Sequence, residues 1–259
     1  MSLKNVGAKI VTIANQKGGV GKTSSVIQIA SGLARRGERV LAIDGDPQGN
    51  LTLFFGDRGK RDFGELLTAL IDGTAINPAE FINRNVRRNL DLIPTRNKNL
   101  RMDLHDAEII AAGEPFGAFA QELGKKYDWI IVDSSPSNSP LERLLIKASD
   151  AVIIPLEFQL FSVSGLESIL DEVANCVKDS GKDIRVHSLI FTKAENRLNR
   201  VQTYRDVFSS FHIPIFEVCK SEYIARSLEK SRTIWECGPA SFAARDYERV
   251  IERGFLETT

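Results

Sequence analysis

Lys17-Gly18-Gly19-Val20-Gly21-Lys22-Thr23 stands between an apolar run, Ile10-Val11-Thr12-Ile13-Ala14, and a segment of helical spacing from Thr23 to Ala34. The run before it reads as a buried strand. After it, Val26, Ala30 and Leu33 recur at helical intervals, and Gly37 supplies a stop. Val40-Leu41-Ala42-Ile43 follows as a second buried strand that ends at Asp44. Strand, glycine turn, helix and strand make a βαβ unit, which requires a parallel sheet with a right-handed crossover. Glycines let backbone N–H groups close around phosphate oxygens where a Cβ would obstruct the turn, and the helix N-terminus adds donors. Gly18, Gly19, Val20, Gly21 and Ser24 therefore read as a nucleotide cradle. Lys22 is placed to reach the β- and γ-phosphates and Thr23 to ligate Mg²⁺. Gln16 stands where the usual loop begins with Gly, so the loop is a variant.

The same alternation continues outward. Strands are expected at 90–94, 129–133, 151–155, 186–191 and 213–216, and helices near 62–71, 114–126, 141–147, 163–179, 199–210 and 239–253. Several of the strands are short, lack strict alternation and end in Asp or Pro, as central strands covered on both faces do. The expected fold is α/β: a three-layer P-loop NTPase-like arrangement, its central sheet mostly parallel with helices on both faces. No linker or composition break divides the chain, so residues 1–259 are expected to form a single domain with a core of about 9–253.

Acidic residues at strand ends extend the candidate site. Asp133 closes Trp129-Ile130-Ile131-Val132 in the position of a carboxylate that holds Mg²⁺ directly or through water. Asp44 and Asp46 lie in Asp44-Gly45-Asp46-Pro47-Gln48-Gly49-Asn50 after another buried strand. Parallel neighbours bring such ends together on the ligand side of an open sheet. Lys17 falls on the opposite side of the turn from Lys22. It is either a solvated turn charge or a contact to phosphate outside its own loop, across a dimer.

Composition bounds the rest. The 259 residues carry 34 Lys+Arg against 34 Asp+Glu, so nothing global draws the chain to DNA or anionic lipid, and any nucleic-acid contact must be local. Cys176, Cys219 and Cys237 are sparse and form no CxxC pair, which fits reduced thiols and no disulfide scaffold. The start is too short and polar for a signal segment, and no uncharged run reaches membrane-spanning length, so a soluble protein is expected.

These motifs resemble the ParA/MinD class of deviant Walker P-loop ATPases, most closely its short ParA-type (Soj-like) partition proteins without an N-terminal helix-turn-helix. Lys17 to Thr23 matches the deviant Walker A, Asp44 to Asn50 the second acidic motif, and Tyr127 to Asp133 the Walker B. Weaker echoes are Asn89 to Pro94, Ser164-Gly165-Leu166 and Val218 to Glu222. After Asp133 the class has a Cys-Pro-Pro or Thr-Pro-Pro switch, where this chain reads Ser134-Ser135-Pro136-Ser137-Asn138. The resemblance implies ATP and Mg²⁺ as cofactors and a homodimer that sandwiches ATP, with Lys17 crossing to the other subunit's nucleotide. It implies that Asp46 positions the attacking water, that Asp133 organises the metal shell through water and that Asp44 supports them. It further implies slow hydrolysis stimulated by a centromere-binding ParB-type adaptor, nonspecific DNA binding, and a cytoplasmic, nucleoid-associated protein without stable membrane association.

DNA contacts are expected from Arg197 and Arg200, with Arg205 nearby, and from Lys220, Arg226, Lys230 and Arg232. Glu195, Glu222, Glu229 and Glu236 interleave with them, so a solvated mixed-charge face is the competing reading. Arg84, Arg87 and Arg88, followed by Arg96, Lys98 and Arg101, form a second basic cluster for DNA or a partner. Rival functions are a MinD-like or protein-cargo positioning ATPase and a non-catalytic DNA-binding adaptor. The last segment, Tyr247 to Leu256, alternates in charge and reads as a packing helix rather than a lipid anchor. The glycine loop generates one direct expectation: Lys22→Ala abolishes useful ATP–Mg²⁺ binding in isothermal titration, and equal affinities would remove the phosphate assignment.

Overall fold

The computed structural model describes Leu3 and residues 9–96, 106–136, 139–159, 162–194 and 205–257. Its strands are β1 (Ile10–Ile13), β2 (Val40–Gly45), β3 (Asn83–Arg87), β4 (Leu90–Ile93), β5 (Trp129–Ser134), β6 (Ala151–Leu156), β7 (Arg185–Ala194) and β8 (Ile215–Cys219). They form one sheet in the order β3-β4-β2-β5-β1-β6-β7-β8. Every neighbouring pair is parallel except β3–β4.

Successive side chains of a strand point to opposite faces, and here both faces are apolar. Val40 and Ala42 of β2, with Trp129 and Ile131 of β5, pack on one face with α1 (Lys22–Arg35), α2 (Asn50–Phe55) and the C-terminal helices α10 (Ile234–Cys237) and α11 (Phe242–Arg249). Leu41, Ile43, Ile130 and Val132 pack on the other with α3 (Phe63–Ile71), α5 (Gly113–Gly124) and α6 (Pro140–Ala148). A third cluster joins β6 and β7 to α7 (Ser162–Ser180). The three-layer arrangement expected from the buried strand runs is therefore the one observed. Each fully buried Leu, Ile or Phe in these layers contributes roughly 1.5–3 kcal/mol relative to exposure.

Differences from the sequence reading have local causes. β3 was not expected because Asn83-Arg84-Asn85-Val86-Arg87 has no apolar alternation; it pairs on one side only, as the sheet's edge. Its turn relies on Asn89, which adopts φ 60°, a conformation asparagine tolerates. β8 starts two residues later than expected because Pro214 has no N–H to donate, and its carbonyl instead accepts from Leu189 N–H at 2.8 Å. The helix expected over 239–253 begins at Phe242 and passes at Val250 into a π-helical turn that runs to Leu256. Tyr247, Val250, Ile251 and Phe255 are buried there, with the Phe255 ring edge-on to Trp129 at 5.1 Å. α2, α4 (Asp106–Ala111), α9 (Glu222–Glu229) and α10 were not foreseen, being too short to show a period. Of the helix expected over 199–210, residues 205–210 fall among the described residues; 205–209 (α8) are helical and 210 is a turn.

Candidate phosphate-binding site

Register builds the site. β5 lies between β1 and β2, and its Asp133 pairs with Ile13 on one side and Asp44 on the other. The C-terminal ends of three strands thus set Asp133 and Asp44 beside the turn that leaves β1. In that turn Gly19 has φ 76° and Gly21 φ 88°, left-handed conformations that favour glycine. Gly21 also caps α1, and a Cβ there would come within 3.2 Å of Thr192 Cγ2. The Thr192 hydroxyl donates to the carbonyl of Val20 at 2.9 Å, tying the loop to the end of β7. Around Gly18 and Gly19 a Cβ would meet nothing within 4 Å, so the cradle opens outward.

The two lysines of this heptapeptide have opposite environments. Lys22 is buried, and its ammonium donates to the carbonyls of Asn15 at 2.9 Å and Lys17 at 3.1 Å. Burial lowers its pKa, while the fields of Asp133, Glu142 and Asp46 pull it back up. Lys17 is exposed, and its ammonium donates instead to Gln159 Oε1 at 2.7 Å, beyond β6. Gln159 in turn donates to Glu157, which pairs with Lys193 at 2.6 Å.

The carboxylates are equally distinct. Asp44 is buried, and one of its oxygens accepts from the N–H and hydroxyl of Thr52 at 2.7 and 2.6 Å. Burial pushes its pKa up to about 7 despite those bonds. Asp46 accepts from Gln48 N–H at 2.9 Å and so shapes the loop after β2. Asp133 is fully buried, and neither carboxylate oxygen has a hydrogen-bond partner of ordinary geometry among the described residues. Its pKa is raised, first by burial and then by Asp44, with the adjacent Thr23 hydroxyl and Lys22 opposing. An orphaned carboxylate beside Thr23 and a glycine cradle fits a hydrated Mg²⁺ that takes its other ligands from phosphate oxygens. Among the described residues no group of three His, Cys, Asp or Glu is arranged to hold a metal alone.

Sequence reasoning missed the supports. Thr95 donates to the Asp44 carbonyl at 2.5 Å and its N–H donates to the Thr52 hydroxyl at 2.8 Å. A threonine's hydrogen bonds leave no periodic trace. Glu142 of α6 was missed as well: it is fully buried, its two carboxylate oxygens lack partners among the described residues, and it lies in the field of Lys22.

The predicted DNA residues are only partly placed. Arg197 and Arg200 lie outside the described residues, as do Glu195, Lys98, Arg101, Ser137 and Asn138. Lys220, Arg226, Lys230 and Arg232 are all exposed, the first just before α9, the second on it and the last two after it. Arg205 leaves the basic cluster: it forms a bidentate pair with Glu217 at 2.5 and 2.6 Å. Arg96 is likewise claimed by Asp57, at 2.5 Å. Cys176, Cys219 and Cys237 are free thiols. Among the described residues no helix is long and apolar enough to cross a membrane.

Fold and site together define a P-loop nucleotide-binding protein. The AAA domain profile matches residues 8–186. The sporulation initiation inhibitor protein Soj of Bacillus subtilis is 30% identical over 211 residues, covering 81% of this chain and 82% of its own length. A putative plasmid partition protein of Borrelia burgdorferi bound to AMPPNP superposes with a TM-score of 0.73 at 26% identity, over 94% of this chain and 97% of its own. The ATP complex of McdA from Cyanothece shares the fold, with a TM-score of 0.81 at 24% identity over 97% and 98% of the two chains. This chain belongs to the ParA/MinD class of deviant Walker P-loop ATPases, consistent with the Soj and ParA partition ATPases. That kinship supports ATP and Mg²⁺ binding and a general partition or positioning ATPase activity.

The buried carboxylates set a pH dependence of stability. Unfolded, Glu142 ionises near 4.5; folded, burial pushes it up to about 8. Between those values the folded state holds the extra proton, so stability falls as pH rises through this window. Asp44, raised from 3.8 to about 7, acts with the same sign. Glu142→Gln is expected to match wild type near pH 5 and to exceed it by a few kcal/mol at pH 8.5, since each unit by which the folded pKa stands above the unfolded one is worth about 1.4 kcal/mol. Urea unfolding at both pH values measures this, and parallel pH slopes for the two proteins would exclude it.

Proposed function

We propose that this chain is a ParA-type DNA segregation ATPase whose ATP-bound dimer binds DNA without sequence preference and hydrolyses ATP slowly, under stimulation by a cargo-bound adaptor. The observation that carries the reading is the contrast between buried Lys22 and exposed Lys17 within one loop. A lysine held by Gln159 outside its own cradle is available to a second subunit. Leu53, 79% exposed, and Leu228, 37% exposed, line a cleft with Thr23 and Ser24, an apolar surface that a second copy would cover.

Within the site, the N–H groups of Gly18 to Ser24 and the Lys22 ammonium bind and orient the phosphates. Thr23 directly, and Asp133 through water, hold the metal. Mg²⁺ bound with ATP would supply charge neutralisation of the phosphates. Asp46 accepts a hydrogen bond from the attacking water and aims it, a positioning role that needs no prior deprotonation of the water. Asp44, engaged by Thr52, keeps the loop bearing Asp46 in place. Catalysis of this kind is positioning and electrostatic compensation. The exposed Lys220, Arg226, Lys230 and Arg232 support DNA as the surface bound. The packing of Tyr247 and Phe255 into the core speaks against a MinD-like lipid anchor. A cytoplasmic, nucleoid-associated protein served by a ParB-type adaptor follows from this reading.

Asp46→Ala is expected to keep ATP binding, nearly stop turnover, and form an ATP-dependent dimer in light scattering. Adding Lys17→Ala should abolish that dimer; an unchanged dimer defeats the crossing lysine, and phosphate release at wild-type speed removes Asp46 from its role.

DNA affinity of the Asp46→Ala dimer, read by anisotropy on two unrelated duplexes, should fall with salt at a log–log slope on the order of −4 to −7, from roughly 0.9 per phosphate contact. Lys220→Glu with Arg226→Glu should weaken both duplexes alike. Salt-independent affinity, or tight liposome binding in place of DNA, assigns the protein to another branch of the class.

A further inference from the structure

The end of α1 remote from the phosphate loop opens into a cavity of about 600 Å³, walled by Ser31, Arg35 and Arg36 of α1, Arg87 and Arg88 at the β3–β4 turn, and Trp235 of α10. Four guanidinium groups border one concavity, and their neutralisation is unequal. Arg35 and Arg36 reach Glu248 and Glu252 on the C-terminal segment, and cations in the last turn of a helix are favourable there in any case. Arg87 donates to the backbone carbonyls of Val86 at 2.9 Å and Ser231 at 2.7 Å. Neither Arg87 nor Arg88 is paired with a carboxylate among the described residues. Glu236, the carboxylate in the wall, already accepts from Thr233 N–H at 2.6 Å.

Two buried residues lie in the same wall. Ser31 is 3% exposed and Trp235 is 7% exposed. Neither the Ser31 hydroxyl nor the Trp235 indole N–H has a hydrogen-bond partner among the described residues. The carbonyls at the end of α1, which would repel an anion, are occupied: those of Leu33 and Ala34 accept from the N–H groups of Arg36, Gly37 and Glu38.

Guanidinium and indole N–H groups donate and never accept, and the arginine fork matches phosphate bidentately. Four guanidinium groups, two of them without a carboxylate partner among the described residues, suit a ligand built of acceptors. The volume lies in the range of small-molecule sites. Ser31 and Trp235 sit below the surface, out of reach of the backbone of a stiff duplex. We propose that this cavity is a second anion site, separate from the phosphate loop, that takes a nucleotide-sized phosphate-bearing molecule on Arg87 and Arg88, beside Ser31 and Trp235.

The chain has two tryptophans, Trp129 and Trp235, so the site carries its own reporter. Indole ¹⁵N–H resonances would be followed in wild type and in Lys22→Ala during titration with inorganic pyrophosphate, with Trp235→Phe assigning the peaks. The Trp235 resonance should shift saturably in both proteins while that of Trp129 stays in place. Because α1 places the reporter roughly 20 Å from the loop, a response independent of Lys22 separates this site from the phosphate loop. Arg88→Glu should weaken the response at least tenfold, with the Trp129 resonance showing that the fold is intact. A Trp235 resonance indifferent to millimolar pyrophosphate, or one equally responsive in Arg88→Glu, overturns the proposal. A duplex that moves it at lower concentration than pyrophosphate overturns it too, and gives this face to DNA.

Discussion

Buried like charge at the ends of parallel strands governs this molecule. Asp133 and Asp44 are register partners on β5 and β2, both shielded from water, with Glu142 and Asp46 in the field of the same ammonium, that of Lys22. Burial raises the pKa of both, and the Asp44 charge raises that of Asp133 further. An arrangement of this kind costs stability and has to be held by its surroundings. In exchange, the site stands ready to compensate a cation and a phosphate cluster without rearranging.

The surroundings that hold it are mostly neutral hydroxyls and close contacts. Thr52 satisfies Asp44, Thr95 locks both to the end of β4, and Thr192 ties the glycine loop to β7. Gly45 fits a similar constraint, since a Cβ there would lie 2.7 Å from the Asp133 carbonyl. These contacts fix where the carboxylates stand relative to the phosphate cradle, which is the geometry on which aligned phosphoryl transfer depends.

Net neutrality conceals a sorted surface. Arg39, Arg96 and Arg205 are committed to Asp128, Asp57 and Glu217. Exposed ion pairs of this sort add little stability, but they withdraw charge from any outside partner. Among the described residues, the cations left without a carboxylate partner include those on and after α9, Arg226, Lys230 and Arg232, and those of the β3–β4 turn, Arg87 and Arg88. The Arg87 bond to the Ser231 carbonyl joins the two, so the proposed nucleic-acid and small-anion surfaces adjoin along one side of the molecule.

The glycine loop, its flanking strand and helix, and the strand-ending aspartates were legible in the sequence because local sterics and apolar runs need no distant partner. From them came the fold class, the phosphate cradle and the kinship. Short polar elements such as β3 and α9 were not legible, since edge pairing and tertiary contact decide them rather than any period. Burial of Glu142, loss of Arg205 and Arg96 to acidic partners, and the outward setting of Lys17 on Gln159 depend on residues from a dozen to more than a hundred positions away or on a helix's orientation. The sequence alone determined which groups could do phosphate chemistry. Only the tertiary structure decided which of them are buried, paired or free to reach a partner, because the field and solvation at a side chain are set by what packs against it.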